Sequence, residues 1–333
     1  MATYIGTKGT QIQTIAGDPA NPIEGQVWYN TTANTLKGYG IIGTGAWASG
    51  GNMSVSKAWL PGAGTQTAAI SGGGNLVPPS GPWGTASALT ETYDGTSWTE
   101  VGDLTTARGS AAPSTSGTQT ATLVAGGGAP HTALTETYNG TAWTEVGDLT
   151  TSRNYLGGAG TSTAALAIGG EVSGAPFSAL VENFNGTAWT EVGDINTGRK
   201  DAVGAGIATA AIAVGGQPSL GVTETFNGTS WTEVADLNTG RHSASGAGTT
   251  ESALYVGGSG PGEAFTAIVE QYDGTSWTEV ADLSTATGAQ GTAGTTLAAV
   301  AGAGGTSGSG AGAGTTATEE WTSPVETKTF TSS

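Results

Sequence analysis

The sequence predicts an all-β fold, a closed ring of small sheets, and three observations carry that prediction. One string is written five times: YDGTSWTEVGDLTTAR from Tyr93, YNGTAWTEVGDLTTSR from Tyr138, FNGTAWTEVGDINTGR from Phe184, FNGTSWTEVADLNTGR from Phe226 and YDGTSWTEVADLSTAT from Tyr272. Its tryptophans, Trp98, Trp143, Trp189, Trp231 and Trp277, recur every 42–46 residues, the mark of one supersecondary unit repeated. Glycine makes up 59 of 333 residues and charged residues only 11%. That composition disfavours long helices and suits short strands joined by turns.

Each unit reads as four strands. Strand a begins near the arginine, as in 153–160. Strand b is an apolar run ending in Gly-Gly, found as TQTAAISGGG, TQTATLVAGGG, TSTAALAIGG, ATAAIAVGG, ESALYVGG and, more loosely, TLAAVAGAGG. Strands c (ALVENF, 179–184) and d (AWTEV, 188–192) are joined by Asn-Gly or Asp-Gly. That dipeptide predicts a type I′ hairpin turn with positive φ at both central residues. Asn139, Asn185 and Asn227 also begin glycosylation triplets, but the turn accounts for them. The small residues of strand b let strands converge near an axis, while Trp and Tyr fill the wider space outside. A four-stranded sheet cannot bury both faces alone; a closed ring of sheets can.

Gly-Gly after an apolar strand, then Tyr, then Trp about five residues on, then Arg ten further, resembles a kelch repeat over residues 41–333. The resemblance implies a β-propeller of four-stranded blades, here six. Closure is also readable. Setting Trp47 on Trp143 places Lys57 where Arg153 falls, so residues 44–49 read as a strand d lacking its own a, b and c. The last unit has a, b and c but no GTSWTEV. The N-terminal strand is expected to complete the sixth blade; VETKTFT at 325–331 competes for that place.

Residues 1–40 lie outside the repeat. QVWYN, a polar turn and TLKGY read as a β-hairpin whose apolar content is Trp28, Tyr29 and Leu36. Too few large side chains are present for an independent core, so this segment is expected to dock, with those three residues as its contact face. The phrase EGQVWYNTTANTLKGYG…GAWASGGN resembles N-terminal segments of structural proteins from tailed bacteriophages, especially marine ones. The resemblance implies a virion component, made in the host cytoplasm, whose partners are other virion proteins and a host-surface glycan or receptor.

The composition also excludes. Net charge is −17, against nucleic-acid binding. No stretch of eighteen apolar residues exists, so no membrane-spanning helix is expected, and the N-terminus lacks the basic and apolar regions of a secretory signal. There is no cysteine, and the only histidines are His131 and His242. That rules out a copper oxidase resembling galactose oxidase, and neither a metal site nor a cofactor is expected. Much of the acidity is built into the repeat, as in Glu91, Glu136, Glu182, Glu224, Glu270 and Glu320 near the end of strand c.

A glycan-binding or sialidase-like propeller enzyme is the competing class. Lys57, Arg108, Arg153, Arg199 and Arg241 share one position at the start of strand a and would form a cationic ring able to hold an anion. The structural alternative, each base paired with the Asp five before it or with a repeated Glu, is favoured. The chain is therefore expected not to be an enzyme. The b–c loops vary most and are the candidate recognition surface, with Trp83, His131, Phe177 and Phe265 as their aromatic residues.

Overall fold

The computed structural model describes residues 12–20, 26–41, 45–77, 84–128, 130–175, 177–217, 221–306 and 314–330, with 40–41 and 325–330 as backbone only. The chain divides into two compact units: Met1–Gly45 with Thr322–Ser333, and Ala46–Trp321. All regular structure in the described residues is β.

The larger unit is a β-propeller. Its principal sheets are each four antiparallel strands in the order a–b–c–d, with two two-stranded pairs, Lys57–Ala58 with Asn75–Leu76 and Arg153–Asn154 with Glu171–Val172, beside them. The third is typical, with Gly157–Thr161, Ala164–Ile168, Val181–Phe184 and Trp189–Glu191. The described residues form six such sheets, with strand a starting at Gly62, Ala112, Gly157, Val203, Ser245 and Gly291 in turn. The sixth takes its outer strand, Ala46–Ser49, from the N-terminal side of the ring. The Gly50 N–H donates to the Thr318 carbonyl at 2.8 Å, continuing that ladder. Trp47 then packs on Trp321 with ring centroids 5.4 Å apart, as Trp189 packs on Phe184 at 5.1 Å. Residues 325–330 are not the closing strand.

Apolar clusters fill the seams between successive sheets. Ile70, Val124 and Trp143 join the first and second, and Leu166, Ile168 and Trp231 the third and fourth. Tyr93, Val300 and Trp98 join the first to the sixth. The closest approach belongs to strand a, innermost in every sheet, and not to strand b as expected. A Cβ on Gly158 would lie 2.1 Å from the Pro113 carbonyl oxygen, and one on Gly204 2.5 Å from that of Gly158. Only glycine lets these backbones meet.

The c–d turns also differ from expectation. Gly186 has φ 93°, but Asn185 is not left-handed. Its side-chain oxygen instead accepts the N–H groups of Thr187 and Ala188, both at 3.0 Å. The asparagine caps the turn from outside, as Asp and Asn do in such loops.

The smaller unit is one four-stranded sheet. Gln13–Ile15 runs parallel to Val27–Asn30, which pairs antiparallel with Thr35–Ile41. Thr35–Ile41 pairs in turn with Val325–Phe330, from Leu36↔Phe330 to Ile41↔Val325. The expected division, 1–40 against a propeller of 41–333, is thus corrected at both ends. The hairpin's outer edge is covered by a strand from the far end of the chain.

Candidate functional site

The five repeated bases do not form an open cationic ring. Lys57, Arg108, Arg153, Arg199 and Arg241 are all buried. Each pairs with the strand-c glutamate of its own sheet: Lys57–Glu91 at 3.3 Å, Arg108–Glu136 at 2.9 Å, Arg153–Glu182 at 2.9 Å, Arg199–Glu224 at 2.6 Å and Arg241–Glu270 at 2.8 Å. Arg153 also donates to the carbonyls of Gly169 at 2.6 Å and Leu180 at 2.8 Å. Burial holds the Lys57, Arg108 and Arg153 pKa values down while the paired glutamates push back. In the sixth sheet Thr287 stands where the base would be. The corresponding acid there is Glu319, which accepts the Ser284 N–H at 2.9 Å. Glu320, the residue expected in that role, takes the Tyr93 hydroxyl instead.

Two residues after each base the backbone turns left-handed: Trp59, Ser110, Tyr155, Asp201, Ser243 and Ala289 have φ between 50° and 58°. Main-chain hydrogen bonds link this position from sheet to sheet around the axis. Ser110 N–H donates to Trp59 O at 3.0 Å, Asp201 to Tyr155 at 2.9 Å, Ala289 to Ser243 at 2.6 Å and Trp59 to Ala289 at 2.5 Å. A bulky residue resists positive φ, so Trp59 and Tyr155 hold a strained backbone that the inter-sheet bonds enforce. The base and the Gly-Gly recur from unit to unit, while this position and the one before it do not. What the fold requires is common to every unit, so side chains that differ are free to serve something else.

The differences are concentrated. The residue after the base and the residue after Gly-Gly meet across one rim, as in the bridges Lys200↔Gln217 and His242↔Ser259 and the pair Asn154↔Glu171. In the third to fifth sheets these are polar or charged. In the first, second and sixth they are Ala58 with Asn75, Gly109 with Gly128, and Gly288 with Gly305. One side of the rim is therefore a polar sector.

Within it, Lys200 forms an ion pair with Glu171 and lies 5.1 Å from the Tyr155 ring centroid. Trp59 meets Tyr155 edge-on at 5.9 Å. The Ser243 hydroxyl lies 3.0 Å from His242 Nδ1 and 3.4 Å from Asp201 Oδ2. His242 Nε2 lies 3.6 Å from Glu263 Oε2. Burial pushes the Asp201 carboxyl up to about 7, against the pull of Lys200 and Ser243. Burial also drives the His242 pKa down, opposed by Glu263, and the Tyr155 hydroxyl up. Perturbed groups gathered in a cavity are what a binding or reacting site requires.

Of the loop aromatics, His131 reaches this sector, with Nε2 3.6 Å from Glu171 Oε1. Phe265 lines the rim cavity and covers Gly288, where a Cβ would lie 2.3 Å from its ring. Phe177 is 42% exposed. Trp83 lies outside the described residues. In the small sheet the expected docking face is corrected. Trp28 is fully buried, and its indole N–H donates to Asp18 at 3.1 Å. Asp18 also takes the Asn30 amide and Lys37, both at 2.7 Å, and these donors lower its pKa, Lys37 most. Tyr29, bonded to Asn34, and Leu36 are half-buried.

Sequence reasoning missed Tyr155, Asp201, Lys200, Glu171 and Glu263 as one group. The signal that finds Tyr155, Lys200 and Asp201 is the non-repeating pair of residues after each repeated base; Glu171 follows the Gly-Gly and Glu263 lies in a b–c loop.

No family model matches the chain, and no curated protein sequence matches it. Solved structures match by fold. One, titled "Structure of YjhT", aligns with a TM-score of 0.63 at 13% identity, over 84% of this chain and 99% of the other, and what that likeness establishes is the β-propeller fold.

Proposed function

We propose that this chain is a six-bladed, kelch-like propeller that serves a tailed-phage virion as a non-enzymatic structural and recognition component. The small sheet attaches it to other virion proteins, and the propeller rim is presented to the host surface. The observation that carries the recognition half is the polar sector. Every repeated base is paired inside its own blade, while Lys200, Asp201, His242, Glu171 and Glu263 break the repeat together. The attachment half is supported by the N-terminal phrase that resembles phage structural proteins and by a compact unit made from both chain ends. With Trp28 buried, attachment falls to the sheet edges at 13–15 and 325–330, where a strand from another protein can add its main-chain hydrogen bonds.

The test is a chain cut to residues 46–321, which keeps the closing strand. It is expected to fold cooperatively and to be absent from assembled particles that incorporate the full chain. Equal incorporation of both, or absence of the full chain from virions, refutes the attachment reading.

A sialidase-like hydrolase is the second reading, favoured by one observation: an Asp201 carboxyl held near 7, as a general acid needs. Against it, the arginines that would grip a substrate carboxylate are buried on glutamates. Turnover of a fluorogenic sialoside that Asp201→Asn abolishes would establish it.

A further inference from the structure

The polar sector encloses a cavity of about 170 Å³. A water-sized atom needs roughly 10–15 Å³ of such space, so about a dozen non-hydrogen atoms fit. One hexopyranose ring with its substituents is that size. The walls then select by chemistry.

An anion finds no free base here. Lys200 is committed to Glu171 and to the Tyr155 face, the arginines are sealed in the blades, and the Asp201 and Glu263 carboxyls face the cavity. A cation would meet Lys200 itself. What remains is hydrogen-bonding capacity beside an apolar wall.

His242 is only 4% exposed, and its Nε2 has no hydrogen-bond partner. The 3.6 Å gap to Glu263 Oε2 is too long for a direct bond. A hydroxyl placed there can donate to one atom while engaging the other. Gln217 and Ser259 add a further amide and hydroxyl to the same wall. Trp59, held in its strained backbone by the inter-sheet bonds, supplies the surface on which the C–H face of a sugar ring lies.

We propose that this cavity binds one neutral pyranose unit, the terminal sugar of a surface glycan, with a ring hydroxyl bridging His242 and Glu263 and Trp59 against the ring face. This rests on the reading of the rim as the recognition face and deepens it.

The full chain is titrated by calorimetry and saturation-transfer NMR with methyl β-D-galactopyranoside, methyl α-D-glucopyranoside and methyl α-D-mannopyranoside, and with N-acetylneuraminic acid as the charged probe. At least one neutral glycoside is expected to bind saturably and the acid not to bind. Glu263→Ala, at a side chain 59% exposed, and His242→Gln are expected to weaken binding by about tenfold or more, with the Glu263 variant melting as the parent does. No saturable neutral probe, tighter binding of the acid, or parental affinity in both variants overturns the proposal. Adsorption of labelled full chain to host cells separates it from the broader reading. Adsorption without any response to the neutral glycosides overturns the pyranose site and leaves recognition standing. Saturable glycoside binding without adsorption supports the site and refutes host recognition.

Discussion

The indole N–H of Trp189 crosses a seam between two sheets to donate to the Thr135 hydroxyl at 2.9 Å. Trp143 does the same to Thr90 at 3.0 Å, Trp277 to Thr223 at 3.1 Å and Trp98 to Thr318 at 2.9 Å. Where the repeat puts Val181 and Val269 in the threonine position, the tryptophans of the next sheet, Trp231 and Trp47, have buried indole nitrogens with no partner. An unmet buried donor costs about 1–3 kcal/mol. Val181→Thr and Val269→Thr are therefore expected to stabilise the propeller by about 1 kcal/mol each, raising Tm by roughly 1–3 °C. A lower Tm in both would mean that burying the new hydroxyl outweighs the bond it accepts.

The Arg153–Glu182 pair yields a prediction of opposite sign. Both side chains are buried, and Glu182 also accepts the Thr150 N–H at 2.6 Å. Removing one partner strands a charge, so Arg153→Ala is expected to destabilise by about 3–5 kcal/mol. Arg153→Lys should cost less, because Lys57 fills the same position in the first blade, yet more than nothing, because the fork that reaches Gly169 and Leu180 is lost. Denaturant melts of the three proteins rank them; an Arg153→Ala variant as stable as the parent would remove the structural role assigned here.

These residues also show how much of the molecule was legible in the chain. Trp47 and Lys57 align with Trp143 and Arg153 because a closing strand must present the same side chains as the strands it replaces. The buried bases were readable for the same reason, since a charge repeated in every blade has a partner repeated in every blade. Trp28 was misread as exposed. Its strand is flanked by Gln13–Ile15 and its indole N–H is met by Asp18, neither of which local pattern reveals. The rim escaped because nothing local announces a left-handed tryptophan or tyrosine. Trp59, Tyr155 and Asp201 meet only once the ring brings their sheets together.

Closure by Trp47 is testable apart from the rest. Trp47 joins the cluster of Leu254, Val256, Leu283 and Trp321 at the seam between the fifth and sixth sheets. It is half-buried, so Trp47→Ala is expected to cost about 2–4 kcal/mol, a little below a fully buried tryptophan. Because the strand also closes the ring, amide exchange should rise most at Gly50 and Met53, whose N–H groups donate to the Thr318 and Thr316 carbonyls of the sixth sheet. Exchange that rises instead around the third sheet would show that the ring is not held shut there.

Asp201 sets a pH dependence with a definite sign. Its carboxyl titrates near 7 in the folded chain, mainly through burial, against 3.8 as the ordinary value. Between those limits the native state keeps a proton that the unfolded chain has released. The stabilisation is complete below about pH 4 and is lost as pH rises through about 7. At about 1.4 kcal/mol per unit, discounted for the side of Asp201 open to the cavity, the loss is on the order of 2 kcal/mol. His242 runs the other way. Its lowered pKa means the unfolded chain gains protons first as pH falls through the ordinary histidine range near 6.5, so stability falls toward acid. Asp201→Asn removes the first effect and leaves the second. The variant should match the parent near pH 4.5 and exceed it by a growing margin up to about pH 8, read from melts at three pH values. A gap that stays constant across that range would mean that Asp201 is ionised in the folded protein throughout, and that the sector around it is more open to water than its packing against Lys200, Ser243 and Tyr155 implies.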